Sequence, residues 1–220
     1  MVCTNWRLWL LCLLLSLAGG CASTTGKKPK AEKPEDAATA PLVEGTPITL
    51  IPNPYLAQDA KVSPSTQSAF RNALVAMQSE DWATAEKQLL ALSEANPQLS
   101  GPQVNLGLVY WRQDKLKEAE TAFNQALVLN PLNNDAYVQF GLFLRESGRF
   151  AEAEKTYLKA LEVWPHNLAA HRNLGILYDL YMGKFDAAMR HYEMVLRLSP
   201  APNKEVEGWI IDLKRRLAAG

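Results

Sequence analysis

Ser100–Asn133 reads SGPQVNLGLVYWRQDKLKEAETAFNQALVLNPLN. It holds two apolar patterns at helical spacing, parted by a short polar turn and closed by Pro131. The unit recurs along the chain: Pro97, Pro131, Pro165 and Pro200 each end such a pattern, at spacings of 34, 34 and 35 residues. In register, the eighth place of the unit is Ala73, Gly107, Gly141 and Gly175, and the twentieth is Ala85, Ala119, Ala153 and Ala188. The twenty-fourth place carries bulk (Leu89, Phe123, Tyr157, Tyr192), and the twenty-seventh is Leu92, Ala126, Ala160 and Val195. Small residues let two helix axes approach, and a large side chain from the neighbour fills the remaining space.

The run Asn105-Leu106-Gly107 to Tyr110, followed by Ala119, Phe123, Ala126-Leu127 and Pro131, resembles the tetratricopeptide repeat. The resemblance covers Thr66 to Pro202 and implies an all-α, right-handed superhelix of four helix-turn-helix repeats, at 66–99, 100–133, 134–167 and 168–202. Repeat 1 departs from the others, with Asn72 where they have Leu106, Phe140 and Leu174. Repeat 4 has one extra residue, expected in its turn near Met182-Gly183-Lys184. The remaining residues, 203–220, are expected to cap the stack with one amphipathic helix carrying Val206, Trp209, Ile210, Leu213 and Leu217 at helical spacing. Lys214, Arg215 and Arg216 near its end suit the helix dipole.

In the family that this sequence resembles, the first helix of each repeat lines a concave peptide-binding groove. Carried over place by place, the groove would hold Phe70, Leu74, Val104, Leu108, Val138, Leu142, Arg172 and Ile176 as its floor. Arg71, Asn105, Gln139 and Asn173 would form a second row. Carboxamides both donate and accept hydrogen bonds, so this row either pairs with an extended peptide backbone or orients neighbouring helices. Trp111, Arg112, Arg145, Glu146 and Asp179 would add mixed charge and one large ring. Trp111 is either a binding anchor or a packing residue over the next repeat.

Upstream of the repeats the composition changes. Arg7, the apolar run Leu8–Ala18 and small Gly19-Gly20 before Cys21 form the pattern of a secretory signal over residues 1–20. The run is too short to span a bilayer, which needs about 20 apolar residues. Leu17-Ala18-Gly19-Gly20-Cys21 further resembles a bacterial lipobox, which implies covalent lipid on Cys21. By resemblance to lipoprotein sorting in Gram-negative bacteria, Ala22 after the cysteine implies passage to the outer membrane but not which leaflet; a chain facing the periplasm is the expectation. Residues 21–65 read as a tether rich in Pro, Lys and Ala. Within it, Ile48–Leu56 (ITLIPNPYL) is too apolar for a spacer, so it either packs on the folded domain or docks on a partner.

The chain balances 23 Lys and Arg against 23 Asp and Glu, which argues against a nucleic-acid partner. All three cysteines precede residue 22, which excludes a disulfide-stapled fold. His166, His171 and His191 have no metal-ligand spacing, and no nucleophile elbow, phosphate loop or dinucleotide motif is present. Acidic pairs such as Glu118 with Glu120 and Glu152 with Glu154 read as solvated faces. No enzyme, metal or soluble cofactor is expected. The chain reads as a lipid-anchored adaptor for segments of envelope proteins, similar to outer-membrane pilus-biogenesis lipoproteins of the pilotin type. Adaptors for peptidoglycan enzymes or envelope proteases, and self-assembling lipoproteins, are the alternatives.

Overall fold

Left-handed residues and asparagine caps punctuate the chain at regular intervals and divide it into helical hairpins. The computed structural model describes residues 48–58 and 62–219; the signal-like segment, Cys21 and the tether as far as residue 47 lie outside the described residues. The helices are α1 (Pro64–Gln78), α2 (Trp82–Ala95), α3 (Ser100–Arg112), α4 (Leu116–Leu129), α5 (Asn134–Glu146), α6 (Phe150–Val163), α7 (Leu168–Ile176), α8 (Phe185–Leu198) and α9 (Lys204–Ala219). Four hairpins, α1–α2 to α7–α8, stack in order, and α9 closes the stack. The fold is all-α among the described residues, a repeat solenoid with a C-terminal capping helix. Side-chain oxygens of Ser63, Asn133, Asn167 and Asn203 accept from the first-turn N–H groups of α1, α5, α7 and α9. Pro64, which has no N–H to leave unpaired, starts α1 two residues ahead of the sequence boundary.

Each hairpin turns on a residue of positive φ at the same place: Glu80 (56°), Asp114 (61°), Gly148 (75°) and Gly183 (63°). This places the extra residue of repeat 4. Because Gly183 keeps the turn position, the insertion lies not in the turn near Met182-Gly183-Lys184 but ahead of it, where Leu177–Met182 widens to a π-helix continuing α7.

The repeated small and large residues form one lock per hairpin. A Cβ on Gly107 would stand 2.6 Å from the Phe123 ring, one on Gly141 2.4 Å from Tyr157, and one on Gly175 2.4 Å from Tyr192. Real Cβ contacts are essentially never that short, so each ring presses against bare helix backbone, and all three are buried. Each contributes about 2 to 3 kcal/mol by burial. In repeat 1 the same places hold Ala73 and Leu89, both fully buried. One apolar core runs from Val104 through repeats 3 and 4 to Leu213 of α9, and a smaller one joins repeat 1 to α3 and α4.

Charge repeats as well. Lys115 reaches back to Glu86 (2.9 Å), Arg149 to Glu120 (2.7 Å) and Lys184 to Glu154 (2.6 Å), each cation opening the second helix of one repeat and each carboxylate lying in the repeat before. Glu120 and Glu154 are therefore bridging groups and not simply solvated. At this half-exposure each pair adds about 0.3 to 1 kcal/mol, so the ladder guides register more than it stabilises. At the far end, Arg216 of α9 binds buried Asp179 of the π segment (2.7 Å), to which the Tyr192 hydroxyl also donates (3.2 Å).

Candidate functional site

The first helices of successive repeats touch one another, α3 with α5 and α5 with α7, so they form one layer. On this layer Phe70, Leu74, Leu108, Leu142 and Ile176 stay partly exposed, the last three each between buried chain neighbours. The two valines expected in the floor do not join them. Val104 and Val138 keep only 6% and 7% of their surface, Val138 being held against Ala160 and Ala170, so both are packing residues.

Asn105 and Asn173 turn back on their own helices, the Asn105 amide donating to the Gly101 carbonyl (2.9 Å) and that of Asn173 to Ala169 (2.9 Å). Asn173 Oδ1 accepts from Arg145 (3.3 Å), while Asn105 Oδ1 has no partner among the described residues. Gln139 lies between them, partly exposed. The two asparagines thus spend their N–H groups on their own helices, and the contact between first helices is made by Asn173 Oδ1 with Arg145. Trp111 packs edge-on against Phe143 (5.6 Å between ring centroids), and Arg112 lies over its outer face (5.7 Å). Of the two roles open to Trp111, packing over the next repeat is the one seen.

Charge divides the layer. Toward the C-terminus, Arg145 is largely covered and bonded to Glu146 (2.9 Å), and Arg172 pairs with Glu205 (3.0 Å) over the Trp209 ring. Asp179, expected in the groove, is buried in its ion pair with Arg216, because the π segment turns it inward. Toward the N-terminus, Arg71 and Arg112 are exposed, and neither has a carboxylate partner among the described residues. A cavity of about 400 Å³ opens between α1 and α2, lined by Ala69, Asn72, Gln88 and Leu92. It is the end face of repeat 1, where in later repeats the preceding hairpin stands.

Three polar arrangements escaped sequence reading. At the junctions between repeats, buried Asn133 donates to Ser100 (2.9 Å), and Asn134 donates to the Ala160 carbonyl (3.2 Å) and accepts from Asn167. Only the recurrence of Asn two or three residues after Pro131, Pro165 and Pro200 hinted at this. His171 and His191, twenty residues apart, meet Nδ1 to Nδ1 at 2.8 Å inside repeat 4, with His171 Nε2 donating to the Pro165 carbonyl (3.0 Å). A neutral His171, with its Nε2–H on Pro165, accepts at Nδ1 from the His191 Nδ1–H, and the contact cannot hold two protonated rings. Burial pushes His171 down to about 4, and burial with the neighbouring ring pushes His191 down to about 3. No group of three His, Cys, Asp or Glu able to hold a metal occurs among the described residues.

The third is a strap. The Trp164 indole N–H donates to the Ile51 carbonyl (2.8 Å), the Ile51 N–H donates to His166 Nδ1 (2.8 Å), and Asn130 donates to Gln58 (2.7 Å). The Ile51 backbone thus bonds to the turn between repeats 3 and 4, while the side chains of Leu50, Ile51 and Leu56 stay exposed, so the bonds of this segment to the domain are polar.

A tetratricopeptide-repeat family model matches residues 133–201, and a second of the same description matches residues 103–133. No curated protein matches the chain. Among solved structures the chain is similar to that of Pseudomonas aeruginosa pilF, at 24% identity and TM-score 0.63, covering 70% of this chain and 69% of that one. It is also similar to MamA of Desulfovibrio magneticus, at 15% identity and TM-score 0.58, with 71% and 87% covered. A further MamA structure aligns at 21% identity and TM-score 0.52, with 60% and 72% covered. What is shared at these identities is the fold.

Proposed function

We propose that this chain, a stack of tetratricopeptide repeats, is a non-catalytic adaptor that binds segments of envelope proteins on the layer formed by its first helices. Lipid on Cys21 holds it at the outer membrane, facing the periplasm, and its partners belong to a pilus or secretion assembly. One observation carries the reading: at the ninth place of all four repeats Leu74, Leu108, Leu142 and Ile176 are apolar and partly exposed, and Phe70 adds a partly exposed ring on the first of these helices. A solenoid presents such an extended face for binding, since each repeat needs only its neighbours for stability. The similarity to the pilF structure is consistent with a place in pilus assembly, and the lipobox-like segment at Cys21 supports the anchor.

Photo-crosslinking in cells tests this, with a probe at Leu108 on the layer and another at Lys159, exposed on α6 and paired with Glu162. A discrete envelope-protein adduct from Leu108 and none from Lys159 is expected. Adducts only to a second copy of the chain would replace the adaptor with a self-assembling lipoprotein. Cell-wall enzymes as the adducts would move it out of pilus assembly. The mass of the mature N-terminal peptide tests the anchor, and an unmodified Cys21 would remove it.

A further inference from the structure

Away from the layer of first helices, the turn between repeats 3 and 4 holds an arrangement that the repeat template does not require. At the places flanking the closing proline the other repeats have Asn96 and Gln98, Asn130 and Leu132, and Ser199 and Ala201, whereas repeat 3 has Trp164 and His166. Both bind the backbone of a single residue. The Trp164 indole N–H donates to the Ile51 carbonyl, and His166 Nδ1 accepts from the Ile51 N–H, each at 2.8 Å. The Ile51 side chain keeps 52% of its surface, with Leu50 at 65% and Leu56 at 77%.

One donor and one acceptor aimed at the C=O and N–H of the same residue recognise a backbone and not a side chain. The residue between them needs an N–H, which excludes proline there. It also needs an extended backbone, in which its N–H and C=O point to the same side. A proline directly after it favours that conformation, as Pro52 does for Ile51. Residues 48–53 accordingly form neither helix nor turn. Aromatic side chains are a general means of holding such proline-containing segments. The segment now in place is held lightly: two bonds at Ile51 and one from Asn130 to Gln58, all exposed, with little apolar burial, oppose the backbone freedom that each ordered residue loses. Its covalent link to α1 supplies the remainder, by keeping it at high local concentration.

We infer that Trp164 and His166 form a binding site for extended segments of the form X-Pro, X being any residue but proline, with Ile51-Pro52 as its resident, exchangeable occupant. The site is separate from the layer of first helices and goes beyond the adaptor reading above. A partner's proline-containing segment takes the same two bonds. When it does, residues 48–56 leave the domain, and the chain ahead of α1 gains that much free length.

An NMR titration tests this with the synthetic peptide ITLIPNPYL, a copy of residues 48–56, added to the full chain and to a variant whose residues 48–56 are replaced by Gly and Ser. The signal is the Trp164 indole N–H, assigned by its loss in Trp164→Phe. The peptide is expected to bind the replaced variant and to bind the parent about tenfold or more less tightly, because the resident segment competes. Trp164→Phe in the replaced variant keeps the ring and removes the donor, and the Ile51→Pro peptide removes the N–H that His166 accepts. Each is expected to weaken binding about threefold to tenfold, the first read from the other shifted resonances, while the unfolding midpoint of Trp164→Phe confirms that it folds. No binding to the replaced variant, equal binding to variant and parent, or binding indifferent to both changes would overturn the inference. Any of these would leave the Leu108 adduct, and with it the adaptor reading, untouched.

Discussion

Repeat 1 and repeats 2–4 share one template and differ at the places where a neighbour is or is not present. At the seventh place repeats 2–4 bury Leu106, Phe140 and Leu174, and repeat 1 exposes Asn72. At the sixteenth, Lys115, Arg149 and Lys184 reach a glutamate in the preceding repeat; Asp81, with no preceding repeat to reach, caps its own α2 by accepting from Thr84 (3.1 Å). At the fourth and twenty-third, repeat 4 buries His171 against His191, whereas Ala69 and Gln88 of repeat 1 line an open cavity. Only the lock survives in both, as Ala73 with Leu89 in one and glycine with a ring in the others. The lesson is that the hairpin and the stack are encoded separately. Places eight and twenty-four make a hairpin, and places seven and sixteen join it to the one before.

The comparison breaks most severely at a lock. Gly175→Val would drive a branched side chain into Tyr192, which also donates to Asp179 and lies tilted against Trp209 of the cap (5.3 Å between ring centroids). The expected loss is about 3 kcal/mol or more in denaturant unfolding, with repeat 4 and α9 losing amide-exchange protection before repeat 1 does.

Next in size is the pH response of the buried histidine pair. Both rings are held below the ordinary histidine value when folded, so the unfolded chain binds more protons as pH falls. Stability is then full above about pH 6.5 and declines toward about pH 4, by up to about 1.4 kcal/mol per pH unit for each ring. Unfolding curves at pH 7.5 and pH 5.0 check this, and the His171→Gln/His191→Gln variant should lose most of the difference. Glu86 and Glu152, held below the usual carboxylate range by Lys115 and Arg149, add their own loss only at lower pH.

A smaller change sharpens the comparison in the stabilising direction. Glu80 adopts the left-handed backbone that Gly148 and Gly183 supply in repeats 3 and 4. Glu80→Gly should therefore raise the unfolding free energy, by about 1 kcal/mol or less in denaturant unfolding, because the relief of φ strain is partly offset by the freedom glycine has when unfolded.

The lock was legible in the sequence because period 34 puts small and large residues in phase, and phase survives without coordinates. The ion ladder was not, because its partners sit in different units and each charge alone looks solvated. The extra residue of repeat 4 could be counted but not located, since a longer turn and a π-helix contain the same number of residues. Val104 and Val138 were misplaced because family position says which way a helix face turns, not how closely the next helix covers it. His171 and His191 came together across a hairpin at a separation that no metal or catalytic spacing covers. Exposed Arg71 and Arg112 were visible as groove residues, but their difference from Arg145 and Arg172 lies entirely in which carboxylates reach them.

The central claim is that a pair, and not a residue, is the repeated unit of this fold and holds the layer of first helices in place. A double-mutant cycle that rebuilds the pair of repeat 1 inside repeat 3 tests it directly, using Gly141→Ala, Tyr157→Leu and the two combined in urea unfolding. The account predicts that each single change costs stability and that the combination costs at least about 1 kcal/mol less than the sum, because the alanine occupies space the ring has left. Strictly additive losses would contradict it, showing that glycine and ring contribute independently and that their matched recurrence is not what specifies the hairpin.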